Sequence, residues 1–241
     1  MSGHSKWAKV KHQKAANDPK KGQNFSKLAN LIAVASREGK DIETNPKLRI
    51  AVEKAKEIGM PKENIEKAIK RGSGETNEAM TVEEVLYEAY GPQGSALLIK
   101  TITDNKNRTL NELRHLLSLF DSKLAQTGSV RWLFREIAIL EVPKKDWNEN
   151  LALEVIEQGA EEIEEAEETI FIYCPPSKLN LLKNFISERL PQTEIKTDLG
   201  FLSSQNLIIQ DPETKEKIDN LYNALIEHND VENVYLNVDF D

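Results

Sequence analysis

The chain has 241 residues, 30% of them charged, and a formal net charge of −8 at pH 7. This length favours two or three small domains, and no apolar run approaches the roughly 20 residues of a membrane-spanning helix. The single cysteine, Cys174, excludes an intramolecular disulfide framework and a thiolate-rich zinc site. Because the amino terminus also lacks the apolar segment of a signal peptide, we expect a cytoplasmic protein without a membrane partner.

The charge is distributed unevenly along the chain. Residues 1–72 contain 17 Lys and Arg against 8 Asp and Glu, whereas residues 73–241 contain 15 against 32. An acidic region repels a polyanion, so a nucleic-acid partner would have to meet the amino-terminal end of the chain.

The first 27 residues are rich in lysine, and we call them the basic arm. They contain seven lysines, a single acid (Asp18) and too few apolar residues to bury a face of their own. A phosphate backbone is the natural partner, because each lysine that neutralises a phosphate releases a counterion, and Trp7 could stack on an unpaired base. A solvated tail with no specific partner is the alternative. The candidate contacts are Lys6, Trp7, Lys9, Lys11, Lys14, Lys20, Lys21 and Lys27.

Three runs of apolar residues at helical spacing follow between residues 22 and 72. Asn45 with Pro46 is typical of the start of the second helix, Pro61 opens the third, and Gly72 ends it. Helices this short must pack together to persist. We therefore predict a three-helix domain with a basic arm over residues 1–78, in which a polar, glycine-bearing linker to the α+β structure begins at Ser73.

The rest of the chain alternates between strand and helix patterns, which predicts an α+β multidomain protein. Residues 137–203 supply a complete β-α-β-β-α-β set, as in ferredoxin-like domains. The segments before and after it supply half a set each, with a strand predicted at 130–134. The economical arrangement is two ferredoxin-like domains, one inserted in the other. The outer domain would comprise residues 79–135 plus 204–241 and the inserted domain residues 136–203, because a serial order would leave sheet edges exposed.

Catalysis and metal binding find little support in the residue pattern. Cys174 lies at a predicted strand end without a nearby histidine, which is more typical of a buried thiol than of a nucleophile. The four histidines are scattered without a carboxylate or cysteine ligand set. The glutamate-rich run 161–168 is more typical of a solvated face. We therefore predict no enzymatic activity, no metal, no cofactor and no small-molecule substrate.

The polar loop at residues 103–109 is a second candidate contact with nucleic acid. It lies between a predicted strand and a predicted helix start, where backbone amides can bind an anion. Lys106 and Arg108 would add positive charge. A helix cap and turn built from Asn and Asp need no ligand, and this simpler alternative stays open.

Motifs along the whole chain resemble those of one known family. They are GHSKWA at 3–8, NPKLR at 45–49, MPK at 60–62, AIKRG at 68–72, TDN at 103–105, NRT at 107–109, GSV at 128–130 and NVY at 233–235. Together they resemble the YebC/PmpR family of transcriptional regulators. Ala89, Ala125 and Leu236 depart from the Gly, Gly and His that are common in the family.

The resemblance implies a helical domain followed by two α+β domains, and a DNA-binding transcriptional regulator. Some family members, including a mitochondrial translational activator, are instead similar to ribosome-associated translation factors, and bacterial relatives are linked to relief of stalling at proline runs. Both possibilities stay open, because a lysine arm recognises backbone rather than base sequence and no helix-turn-helix recognition face is evident. A protein-interaction module with an incidental basic arm is a third possibility.

Overall fold

The computed structural model describes residues 21–76 and 82–240. In these ranges the α-helices are α1 (Lys21–Ala35), α2 (Pro46–Glu57), α3 (Lys62–Gly72), α4 (Lys106–Ser118), α5 (Glu149–Glu157), α6 (Leu179–Arg189) and α7 (Pro212–Glu227). The strands are β1 (Glu83–Tyr90), β2 (Ala96–Thr103), β3 (Lys123–Leu124), β4 (Phe134–Pro143), β5 (Glu162–Glu165), β6 (Thr169–Cys174), β7 (Lys196–Ser203), β8 (Leu207–Ile209), β9 (Val231–Leu236) and β10 (Val238–Phe240). The predicted class, amino-terminal helices followed by α+β structure with antiparallel sheets, is confirmed. A helix long and apolar enough to cross a membrane is not found among these described residues.

The first three helices pack around one apolar core, as the spacing of their apolar residues predicts. Ile32, Leu48, Val52 and Ile65 from the three helices are each at most 5% exposed. Helices of this length are marginal alone in water. Burial of these side chains against one another therefore provides most of the stability of the helical segment.

Asn45 confirms the predicted start of α2 and also ties that helix to the preceding turn. Its side-chain oxygen accepts a hydrogen bond from the Leu48 amide at 3.1 Å. Its side-chain nitrogen donates to the carbonyl oxygens of Ala35 at 2.8 Å and Gly39 at 2.7 Å. One buried side chain thus satisfies backbone groups at the end of α1, in the turn and at the start of α2.

Gly72 ends α3, as the sequence predicts, and has a second role in helix packing. It is the last residue of α3, and a Cβ placed on it would lie 2.0 Å from the Ala33 carbonyl oxygen of α1. A side chain there would force the two helices apart. The glycine therefore permits the close approach of α1 and α3.

The first four-stranded sheet has the strand order β3-β1-β2-β9, and each neighbouring pair is antiparallel. Helix α4 contacts β3, α7 contacts β9, and the two helices contact each other. A separate two-stranded parallel sheet joins β8 and β10.

This order corrects the prediction of a second ferredoxin-like domain. Strand β1, which the acidic pair Glu83-Glu84 disguises in the sequence, forms a hairpin with β2 before α4. The predicted strand at 130–134 is instead a short 3₁₀ helix, Arg131–Leu133, and Phe134 begins a strand of the other sheet. Val130 is fully buried, but its amide bonds to a side chain and not to a neighbouring strand.

The second four-stranded sheet has the order β5-β6-β4-β7 and is antiparallel throughout. Together with α5 and α6 its elements follow the order β-α-β-β-α-β that the sequence predicts for residues 137–203. Ile137, Ile139, Phe171 and Tyr173 form an apolar cluster on this sheet.

The described chain divides into two compact units. One comprises residues 134–206, and the other comprises the flanking segments. The three helices thus belong to the same unit as the sheet of β1, β2, β3 and β9. The boundary predicted at residue 78 falls outside the described residues, so the three-domain division stays a prediction.

A buried carboxylate, Glu88 of β1, shapes the loop after β3. It accepts hydrogen bonds from the backbone amides of Gly128 at 2.6 Å, Val130 at 2.6 Å and Arg131 at 2.9 Å. Burial opposes ionisation of this carboxyl, but the three amides and the charge of Arg131 hold its pKa below the ordinary value. Charge-assisted hydrogen bonds therefore fix the loop where no strand pairing does.

We expect Glu88→Gln to lower the free energy of unfolding at pH 7 by about 2–3 kcal/mol, because at least one buried backbone N–H loses its acceptor. The folded-state pKa is lowered, so this stabilisation is complete above the ordinary glutamate pKa and is lost as the pH falls through the lowered value. Urea unfolding measures both effects, with Glu216→Gln on the exposed face of α7 as the control. A difference between wild type and Glu88→Gln that stays constant on acidification would contradict the role of the ionised carboxylate.

Candidate nucleic-acid interface

Most of the predicted arm contacts lie beyond what the structure describes. Lys6, Trp7, Lys9, Lys11, Lys14 and Lys20 are outside the described residues. Lys21 begins α1, and its backbone alone is described. Contact of these residues with nucleic acid stays a prediction.

Lys27 is half-buried and has partners within the protein. Its ammonium donates to the carbonyl oxygens of Ile226 at 3.2 Å, His228 at 2.7 Å and Val231 at 3.2 Å. These carbonyls lie at and just beyond the carboxyl end of α7, where the helix dipole favours a cation. Lys27 therefore joins α1 to the end of α7. To bind a phosphate, as the sequence predicts, its ammonium would have to give up these carbonyl partners.

The described helices extend the positive charge of the arm. Residues 21–76 contain 12 Lys and Arg against 8 Asp and Glu. Several lysines form exposed ion pairs, for example Lys47 with Glu38 at 2.6 Å and Lys62 with Glu66 at 3.6 Å. Exposed pairs of this kind contribute little to stability, so a phosphate can compete for these lysines at small cost.

The loop at 103–109 is built as a helix cap. The Asn105 side chain accepts a hydrogen bond from the Arg108 amide at 3.1 Å at the start of α4. The Lys106 ammonium lies 2.8 Å from Glu83, and the Arg108 guanidinium lies 2.8 Å from Asp230 and 3.0 Å from Asp104. Each of the two predicted contacts is thus paired with a carboxylate that a phosphate would have to displace.

Asp230 is the centre of a network that sequence reasoning missed. Its carboxylate accepts hydrogen bonds from Thr109 at 2.6 Å, Arg108 at 2.8 Å and Thr103 at 3.2 Å. Burial opposes its ionisation, but the hydrogen bonds from Thr109 and Arg108 hold its pKa below the ordinary value. The TDN and NRT motifs therefore meet the residue just before β9. These motifs and Asp230 lie about 120 residues apart in the sequence, and no local pattern indicates that their side chains form hydrogen bonds.

Among the described residues, Glu112, His228 and Asp230 have ligand atoms within 4.8 Å of one another. These atoms already form hydrogen bonds within the protein. His228 Nδ1 accepts from the Asp230 amide at 3.1 Å, and His228 Nε2 lies 3.0 Å from Glu112. The nearby Arg108 guanidinium would repel a cation. The arrangement is better described as an ion-pair network than as a metal site.

Two family models together match nearly the whole chain. A family model described as "TACO1/YebC protein N-terminal domain" matches residues 5–75, and one described as "TACO1/YebC second and third domain" matches residues 82–238. A protein from Thermotoga petrophila is 45% identical over 245 residues, spanning 100% of this chain and 95% of the relative. One from Pseudothermotoga lettingae is 46% identical with the same coverage. Both relatives are named "Probable transcriptional regulatory protein".

The fold is also similar to a crystal structure of a conserved hypothetical protein from Aquifex aeolicus. The TM-score is 0.82 at 40% sequence identity, and the match covers 93% of this chain and 92% of that one. The structural and sequence comparisons therefore agree over nearly the full length.

We expect Lys27→Met to lower the free energy of unfolding by about 1–3 kcal/mol, because the carbonyls after α7 lose a charged donor. Urea unfolding tests this, with Lys67→Met on the exposed face of α3 as the control. If Lys27 instead serves as a phosphate contact, the variant will keep its stability and bind nucleic acid more weakly.

Proposed function

We infer the function from family membership: the chain belongs to the TACO1/YebC family. We propose that it is a cytoplasmic, non-enzymatic transcriptional regulator that binds DNA through its basic arm. The names of its relatives support a regulator.

The main support for this proposal is the separation of charge along the chain. Positive charge is concentrated in residues 1–72, whereas residues 73–241 have a large acidic excess. Long-range attraction therefore draws a polyanion to the amino-terminal end first.

A ribosome-bound translation factor is the second candidate, and the scarcity of arginine in the arm favours it. The first arginine in the chain is Arg37, and its guanidinium donates to the Val82 carbonyl at 2.7 Å. Arginine forks are the commonest means of reading guanine in the major groove. A lysine arm without them recognises phosphate backbone, which ribosomal RNA offers as readily as DNA.

We expect the affinity for nucleic acid to fall steeply with salt, with a logarithmic slope of about 0.7–0.9 per phosphate neutralised. Replacing Lys6, Lys9, Lys11 and Lys14 with Ser should reduce this slope by about three, because four phosphate contacts are lost. Fluorescence anisotropy with labelled duplex DNA and structured RNA at several salt concentrations measures both.

The matched control replaces the exposed lysines Lys145, Lys178, Lys196 and Lys215 with Ser, which changes the net charge equally. Equal losses from the arm variant and from the control would show a general charge effect. Salt-insensitive binding would contradict the arm mechanism.

Sedimentation of a cell lysate through a sucrose gradient separates the two candidates. A DNA-binding regulator is expected near the top of the gradient after DNase treatment. A translation factor should move with ribosomal particles at low salt, and the arm variant should not. Co-sedimentation of the wild type with ribosomes would overturn the first candidate in favour of the second.

A further inference from the structure

Trp132 is the most exposed large apolar side chain in the described part of the chain. The residue is 66% exposed, although its neighbours Val130 and Phe134 are at most 3% exposed. Tryptophan, which has an apolar body and one polar N–H, is enriched at surfaces that bind a partner. The loop therefore buries the residues on both sides of an aromatic ring that it presents to solvent.

The ring is held in a fixed orientation. The indole N–H donates to the Ser129 carbonyl at 3.0 Å, within the same turn. The turn is itself fixed by Glu88, which accepts from the amides of Gly128, Val130 and Arg131. Gly128 adopts a left-handed φ of +86°, which favours glycine over other residues at this position. A ring that is ordered before binding loses little conformational entropy when a partner arrives.

Two basic residues accompany the turn that carries Trp132, one within it and one on the edge strand β3. Arg131 is the adjacent residue, and its charge also acts on Glu88. Lys123 is exposed on the edge strand β3, where it pairs with Tyr90 at the same end of β1 as Glu88. The Tyr90 hydroxyl and the Trp132 indole both point to the Ser129 carbonyl, at 3.5 Å and 3.0 Å. Two exposed residues of the same loop, Gln126 and Thr127, add polar rather than apolar surface.

We propose that Trp132 is a stacking platform for one unpaired nucleobase, and that Arg131 and Lys123 contact the phosphates beside it. A flat ring accepts any base on its face, and basic side chains beside it follow the backbone without reading the sequence. The site lies apart from the basic arm in sequence and prefers single-stranded over duplex segments, because the bases of a duplex are already stacked. It rests on the proposed function only in taking nucleic acid as the partner.

The test uses the full-length chain with Trp7 and Trp147 replaced by Phe, so that Trp132 is the sole tryptophan. Titration with oligouridylate and with oligothymidylate is expected to quench its fluorescence to saturation, and a duplex of equal length is expected to quench little. The two oligomers distinguish RNA from DNA as the source of the base. In the wild-type background, Trp132→Ala should raise the Kd for the single strands about tenfold, with Trp132→Phe intermediate.

Leu119→Ala is the matched control, because Leu119 is 65% exposed in the same unit and offers no ring. It should leave the Kd unchanged, and urea unfolding should show all three variants to be folded. Unquenched fluorescence at saturating oligonucleotide, or an unchanged Kd for Trp132→Ala, would overturn the platform. The platform would also be overturned if Trp132→Ala lost a protein partner while its oligonucleotide binding stayed unchanged. That result would identify a protein-docking surface.

The arm variant separates this inference from the proposed function. Serine at Lys6, Lys9, Lys11 and Lys14 should weaken binding of every nucleic acid, yet quenching of Trp132 should persist at higher oligonucleotide concentration. If the arm variant binds normally while Trp132→Ala does not, the proposed function fails and the platform stands.

Discussion

The turn that follows α7 holds the larger unit together. Its carbonyls at His228 and Val231 accept hydrogen bonds from Lys27 of α1, and Asp230 accepts from Arg108 and Thr109 of α4. The carbonyl of Asp230 also accepts from the amide of Ile102 in β2, at 2.8 Å. Residues 228–231, near the end of the chain, thus join α1, α4 and strand β2. Charged partners make these hydrogen bonds stronger than neutral ones, so α1 is held firmly at Lys27, the last residue of the basic arm.

Pairing with carboxylates also occurs among the lysines of the acidic region. Lys100 lies between Glu84 at 3.3 Å and Glu232 at 3.2 Å on neighbouring strands. Burial opposes its charge, but the two carboxylates raise the pKa of Lys100 above its ordinary value. Lys106 and Arg108 of the same unit are likewise paired with nearby acids. Long-range attraction for a polyanion is left mainly to the amino-terminal residues, as the proposed function requires.

Local sequence signals predicted the local structure well. Asn45 and Pro46 mark the start of α2 because a cap depends on neighbouring residues, and the strand and helix order of residues 137–203 follows from periodicity alone. Predictions that the structure corrects concern residues whose partners lie far away in the sequence. Residues 130–134 have the composition of a strand, but the carboxylate of Glu88, about 40 residues earlier, takes the amides that a strand would pair. The role of Lys27 at α7 likewise depends on residues about 200 positions away.

Ultraviolet cross-linking in living cells, followed by identification of the peptides that carry a nucleotide, is the most direct test of nucleic-acid binding by the arm and by Trp132. Adducts are expected within the lysine-rich residues 1–27 and on the peptide that contains Trp132. Sequencing of the attached nucleic acid would show whether it is DNA or ribosomal RNA. Adducts confined to the unit of residues 134–206, with none on the arm, would contradict binding through the basic arm.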